Sequence, residues 1–193
     1  MSSRIETYQE LLRDEQVRSI SRRYFISNGF DGTLTCIGII VGSFLGGSQT
    51  GMEIVRIVGG GTVGLAASGV WSVWEIERAE KRTELKRVED KMLTDLEGTE
   101  LQKRRSTARK INALMSGLGP TIGMLVPVTP YFLVGVLFDL FWATVLGVAI
   151  GMGILFTFGA YMGGISDQDW IKAGLRTALV GLVVGVINII LPG

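Results

Sequence analysis

The sequence predicts an all-α polytopic membrane protein, with five transmembrane helices and a cytoplasmic helical hairpin between the second and third. Three observations predict it. Mean hydropathy is +0.38, with only 19% of residues charged. The charges are segregated: residues 1–27 and 75–110 hold all the basic groups except Arg56, Lys172 and Arg176. The stretches between are apolar and rich in glycine, 27 in all, about twice ordinary usage. They are long enough for helices of about 20 residues to cross a bilayer.

The chain divides into a basic amphipathic tail (1–23), two spans (24–74), a charged hairpin (75–110) and three further spans (111–193). The first span runs from Tyr24 to Gly47 and the second from Ile54 to Trp74. The third covers Ile111–Val128, the fourth Tyr131–Met162 and the fifth Trp170–Leu191. The fourth is longer than one straight crossing and should tilt, bend or protrude. Pro120 and Pro127 should kink or end the third span, and Pro130 should restart the chain. Each span carries small residues four apart: Gly38/Gly42/Gly46, Gly60/Gly64, Gly119/Gly123, Gly147/Gly151 and Gly181/Gly185. Such pairs let helix backbones approach closely, within one bundle or across a dimer.

Positive charge favours the cytoplasmic side. The basic tail and the 75–110 segment therefore place the N-terminus in the cytoplasm and, with five spans, the C-terminus outside. The first 23 residues lack the apolar region of a signal peptide. Compactness and the absence of a targeting segment suggest a prokaryotic cell membrane. The second span should continue as helix to Glu97, with Gly98 as its stop. Thr99 and Gln102 read as a capping box opening the return helix. Leu85, Val88, Met92 and Leu96 form an apolar stripe on the outgoing arm.

Composition removes whole classes of chemistry. There is no histidine and one cysteine, Cys36. Imidazole triads, His-ligated haem and thiolate clusters are excluded. No nucleophile–base pair can be assembled, so the chain is not predicted to be an enzyme and needs no cofactor. Its 19 basic and 18 acidic residues nearly cancel, which argues against a nucleic-acid partner. Any metal must be held by carboxylate, Met sulfur, carbonyl or water.

Glu77, Glu80 and Glu84 fall within about 60° of one another on a helix. They form either a solvated face neutralised by Lys81 and Arg87, or oxygen ligands for a divalent cation. Met92 projects about 60° from Glu77 and adds a softer ligand or core filling. Asp31 lies early in the first span, between Gly29 and Gly32. A charge at membrane depth costs about 2.5–3.5 kcal/mol on insertion scales, so it needs a partner, cavity or cation. The flanking glycines leave room for local unwinding and for backbone carbonyls to join a site, while the other reading of Asp31 is a helix N-cap at the interface. Asp139, in the fourth span, is a protonated acid, a pathway group, or an interfacial residue if that span starts late. Glu53 and Arg56 read as an outer-surface pair.

The run Tyr24-Phe25-Ile26-Ser27-Asn28-Gly29-Phe30-Asp31-Gly32-Thr33-Leu34 resembles the opening of the vacuolar iron transporter family. Gly123–Tyr131 is similar to that family's Gly- and Pro-marked third span and turn, and Gly159–Gly185 to its last two spans. The resemblance implies a homodimeric transporter moving Fe²⁺, and also Mn²⁺, out of the cytoplasm by proton antiport. It implies Asp31 as a pathway carboxylate, and Glu77, Glu80 and Glu84 as groups that collect metal, with the transported ion in place of a cofactor. The family's Ser-Met…Gly-Glu-Tyr stretch is altered here. Ser68 is followed by Gly69-Val70-Trp71-Ser72-Val73-Trp74, and Glu75 stands as a displaced counterpart of the glutamate. The charged segment is also short beside larger members. Two other functions remain compatible with the residues: a small secondary transporter for another solute, using Asp31 and Asp139, and a membrane scaffold whose basic hairpin binds lipid or protein.

Overall fold

A computed structural model describes residues 14–92, 100–137 and 139–190. Five long helices follow one another: α1 (Glu15–Leu45), α2 (Gly51–Met92), α3 (Glu100–Val128), α4 (Leu140–Ile165) and α5 (Trp170–Ile190). All five contain windows long and apolar enough to cross a membrane, and the chain is an integral membrane protein. Large apolar side chains such as Leu175, Leu179, Leu182 and Val183 remain exposed on the outside. That is expected where lipid is the solvent.

The helices alternate in direction. The start of α1, the end of α2, the start of α3 and the α4–α5 turn share one end, here called the basic end. Of the hairpin expected over 75–110 the two arms are described, as the continuation of α2 to Met92 and the opening of α3 from Glu100, joined across by an ion pair between Glu84 and Arg105 (3.5 Å). Val88 of the expected apolar stripe is half-buried. The side chains of Leu85, Met92 and Leu96 fall outside the described residues, as do Gly98 and Thr99.

Two local expectations change. First, α1 begins at Glu15, well inside the basic tail, and runs unbroken past Gly29 and Gly32. Asp31 is therefore mid-helix and not an N-cap. Second, the fourth span is not one helix over Tyr131–Met162. A 3₁₀ turn, Thr129–Leu133, comes first, and α4 starts only at Leu140, with Asp139 in an extended conformation at its N-cap. Gly135, at φ +85°, takes a left-handed conformation that side chains resist. Tyr131 anchors the turn through a buried hydrogen bond to Thr144 (2.9 Å). Pro120 lies inside α3 without ending it, and α3 stops at Val128, the expected end of the third span and one residue past Pro127. The Ser116 carbonyl, which Pro120 deprives of its helical donor, lies against Gly69 of α2.

Capping also differs from expectation at the start of α2. Glu53 accepts from the Gln49 N–H (2.9 Å) and its own N–H donates to Thr50 Oγ1 (3.3 Å). It therefore stabilises the helix start, and no ion pair with Arg56 is present among the described residues. Asp169 caps α5, accepting from the Ile171 N–H (3.0 Å).

Packing rests on glycine. A Cβ on Gly119 would strike the Phe25 carbonyl, one on Gly123 would lie 2.6 Å from the Gly29 carbonyl, and one on Gly32 would lie 2.6 Å from Pro120 Cα. The backbones of α1 and α3 thus meet directly. Gly151 admits Ile37 of α1, Gly159 admits Thr177 of α5, and Gly181 admits Leu155 of α4. Gly60 and Gly64 differ: nothing lies within 4 Å of an added Cβ at either position.

Candidate functional site

Two polar regions stand out on α1, one buried against its neighbours and one exposed beside it. One faces inward. Ser21 reaches Asn112 Oδ1 (2.7 Å), Tyr24 donates to Glu77 Oε1 (3.4 Å), and Asn28 donates to Ser116. The Ser116 hydroxyl in turn donates to the Gly69 carbonyl (2.9 Å). Hydrogen bonds in apolar surroundings link α1, α2 and α3 because each polar group lacks water as an alternative partner.

Glu77 is the pivotal group here. It is 2% exposed, and its Oε2 has no hydrogen-bond partner. One turn earlier on α2, Trp74 carries the Arg109 guanidinium at 4.3 Å from its ring centroid. Arg109 Nε is likewise buried without a partner. A buried carboxylate oxygen left open is costly unless something else is bound to it. It is an oxygen of the type hard cations prefer.

The second region faces outward. Arg23, Ser27, Asp31 and Thr35, spaced four apart, are all exposed on α1. Asp31 lies seven residues beyond Tyr24, about 10 Å along the axis, within the apolar stretch. On α2, Arg56, Gly60, Gly64, Ser68 and Ser72 form a comparable exposed run of small and polar residues.

The remaining sequence candidates separate. Glu80 is exposed. Glu84 is tied to Arg105, and Glu75 lies 3.7 Å from Arg78. Asp139 is exposed in the turn before α4, so it is interfacial and not within a span. Met92 ends α2, and its side chain is not among those described. Among the described residues, no three acidic or thiol groups gather closely enough to hold a metal within one chain. Sequence reading passed over Tyr24, Asn28, Asn112 and Ser116 as site residues. Their signal was available: each is a polar group within or at the edge of an apolar span.

The family model described as the VIT family matches residues 72–191. The chain belongs to the VIT family. The match begins within α2 and includes Glu75, Glu77, Glu80 and Glu84, whereas Asp31 precedes it. The chain is also 27% identical over 168 residues to the uncharacterized protein MJ0645 of Methanocaldococcus jannaschii, covering 86% of this chain and 85% of that protein. This similarity spans most of both chains and carries no activity with it. As a VIT-family protein it is a member of a metal-transporter family, and five apolar helices suit that role.

Proposed function

We propose that this VIT-family protein is a homodimer that moves Fe²⁺, and with it Mn²⁺, out of the cytoplasm in exchange for protons. The observation that carries the reading is the exposed Arg23–Ser27–Asp31–Thr35 stripe within an otherwise apolar helix. A single chain leaves Asp31 facing lipid, an unfavourable place for a carboxylate. A second copy covering that face would enclose the aspartates of both subunits in a shared polar pathway. The open run at Gly60 and Gly64 on α2 supports the same association, since small residues allow close helix contact.

The ligand chemistry suits a passing divalent metal. Carboxylates, hydroxyls and carbonyls hold Fe²⁺ or Mn²⁺ without the tight grip of imidazole or thiolate, and conduction requires release. Proton coupling follows from competition, because a protonated carboxylate gives up its cation. Glu77, at the basic end, serves as the capture group, and its open oxygen supports that role.

The deciding experiment is reconstitution in liposomes with Fe²⁺ entry followed with and without a pH gradient. Entry that is accelerated by the gradient and inhibited by Mn²⁺ is expected. Entry no faster than in protein-free vesicles, from protein of verified fold and orientation, refutes the reading. Uptake of an organic cation without any metal dependence would favour the alternative transporter.

Glu77→Gln tests the capture step. It keeps the size and the acceptor for Tyr24 but removes the charge. The half-saturating Fe²⁺ concentration should rise about tenfold or more, in line with loss of a charged ligand group, with a smaller change in maximal rate. An unchanged concentration dependence would make Glu77 structural. Glu84→Ala removes a half-exposed ion pair and should alter stability by no more than about 1 kcal/mol, as read from the thermal midpoint.

A further inference from the structure

A groove of about 440 Å³ lies between α1, α3 and α4 at the basic end. Arg18 and Arg22 line its rim, and Phe25, Met115, Phe158 and Tyr161 line the rest. The Arg22 guanidinium sits 5.9 Å from the Tyr161 ring centroid, while Phe25 and Phe158 meet edge to face below it (6.0 Å). Arginine stands at the level where the apolar stretch begins, an aromatic side chain stands beside it, and the floor continues into the apolar span. This order matches the cross-section of a phospholipid: anionic phosphate, polar–apolar boundary, acyl chain.

We infer that this groove binds an anionic glycerophospholipid, with its phosphate on Arg18 and Arg22 and one acyl chain along Phe25, Met115 and Phe158. Charge complementarity selects the occupant. Two arginines one helical turn apart present a fork suited to phosphate oxygens, and basic pockets between transmembrane helices take anionic headgroups. A soluble anion would satisfy the arginines but leave the apolar floor unfilled. A metal cation is disfavoured by both charges. Arg22 and Asp31 are nine residues apart, about 180° around α1, so this site lies behind the outward stripe. The inference therefore stands independently of the transport reading.

Native mass spectrometry of the full-length protein, released from detergent micelles with equal phosphatidylglycerol and phosphatidylcholine, tests it. The protein should retain phosphatidylglycerol over phosphatidylcholine by about tenfold to thirtyfold, the effect expected of two arginines near a lipid headgroup. In Arg18→Gln/Arg22→Gln the ratio should fall towards one. In Thr157→Trp, which fills the groove and leaves both arginines in place, bound lipid should also be lost. Arg78→Gln/Lys110→Gln, removing two charges from the same end, should keep the preference. Equal retention of the two lipids by the wild type would overturn the inference. Preference surviving in Thr157→Trp would reduce it to diffuse surface charge. Displacement of the lipid by millimolar glycerol 3-phosphate would assign the arginines to a soluble anion instead.

Discussion

Asp31→Asn is expected to reduce Fe²⁺ entry into proteoliposomes to the protein-free leak while leaving the fold and the subunit association intact. The substitution changes no shape and removes only the charge. In the described structure Asp31 is exposed on the outward face of α1, and no described hydrogen bond or ion pair depends on it. Its loss should therefore not destabilise the chain. An amide is less costly than a carboxylate in an apolar setting, so the variant should be at least as stable as the wild type. What it removes is the anionic ligand in the apolar stretch and, with it, the proton that competes with metal. Ser27→Ala and Thr35→Ala, on the same stripe, should slow entry without abolishing it, because each takes away one neutral oxygen. Initial rates with and without a pH gradient, beside size-exclusion profiles, read both effects. Wild-type rates in Asp31→Asn would take the carboxylate off the pathway and leave the outward stripe as an association surface only.

Gly119→Val should have the largest effect on stability. Its Cβ would strike the Phe25 carbonyl and lie 2.8 Å from the Gly29 nitrogen, both of them backbone atoms of α1. Backbone cannot rotate aside as a side chain can, so α1 and α3 would have to separate. Overpacking in a dense interior costs about 1–3 kcal/mol. Here it would also strain the Ser21–Asn112 and Asn28–Ser116 hydrogen bonds that bridge the two helices. A lowered thermal midpoint and loss of a monodisperse elution peak are expected. Gly60→Ala provides the contrast, since nothing lies within 4 Å of its added Cβ. It should leave the monomer fold unchanged and, if the α2 face is the dimer contact, weaken association. Equal stability of Gly119→Val and the wild type would contradict direct backbone contact between α1 and α3.

The capture and pathway roles respond to different measurements. Glu77 lies at the basic end beside Tyr24, one turn after Trp74 and its stacked Arg109, whereas Asp31 stands farther along α1 and is exposed. Loss of the first should shift concentration dependence and loss of the second should stop flux.

Apolar runs of about 20 residues, separated by charge clusters, determined five spans and the charged hairpin, because transfer into lipid depends on local hydropathy. The fifth span was legible almost to the residue, since Asp169 and the apolar run after it mark the start of α5. The fourth was not. Hydropathy does not distinguish Val134–Leu137 from helix, while Gly135 and the Tyr131–Thr144 bond impose a turn there. Helical spacing put Glu77, Glu80 and Glu84 on one face. It could not tell that Glu77 is buried beside Tyr24 of α1 while Glu80 is exposed and Glu84 reaches Arg105. Small-residue spacing likewise marked all five spans alike, and only the packed helices separate Gly119 and Gly123, pressed on backbone, from Gly60 and Gly64, left open. Which residues can enter a membrane is a property of the local chain. Which of their faces meet protein depends on contacts between residues as far apart as Asn28 and Ser116, and those exist only once the helices have packed.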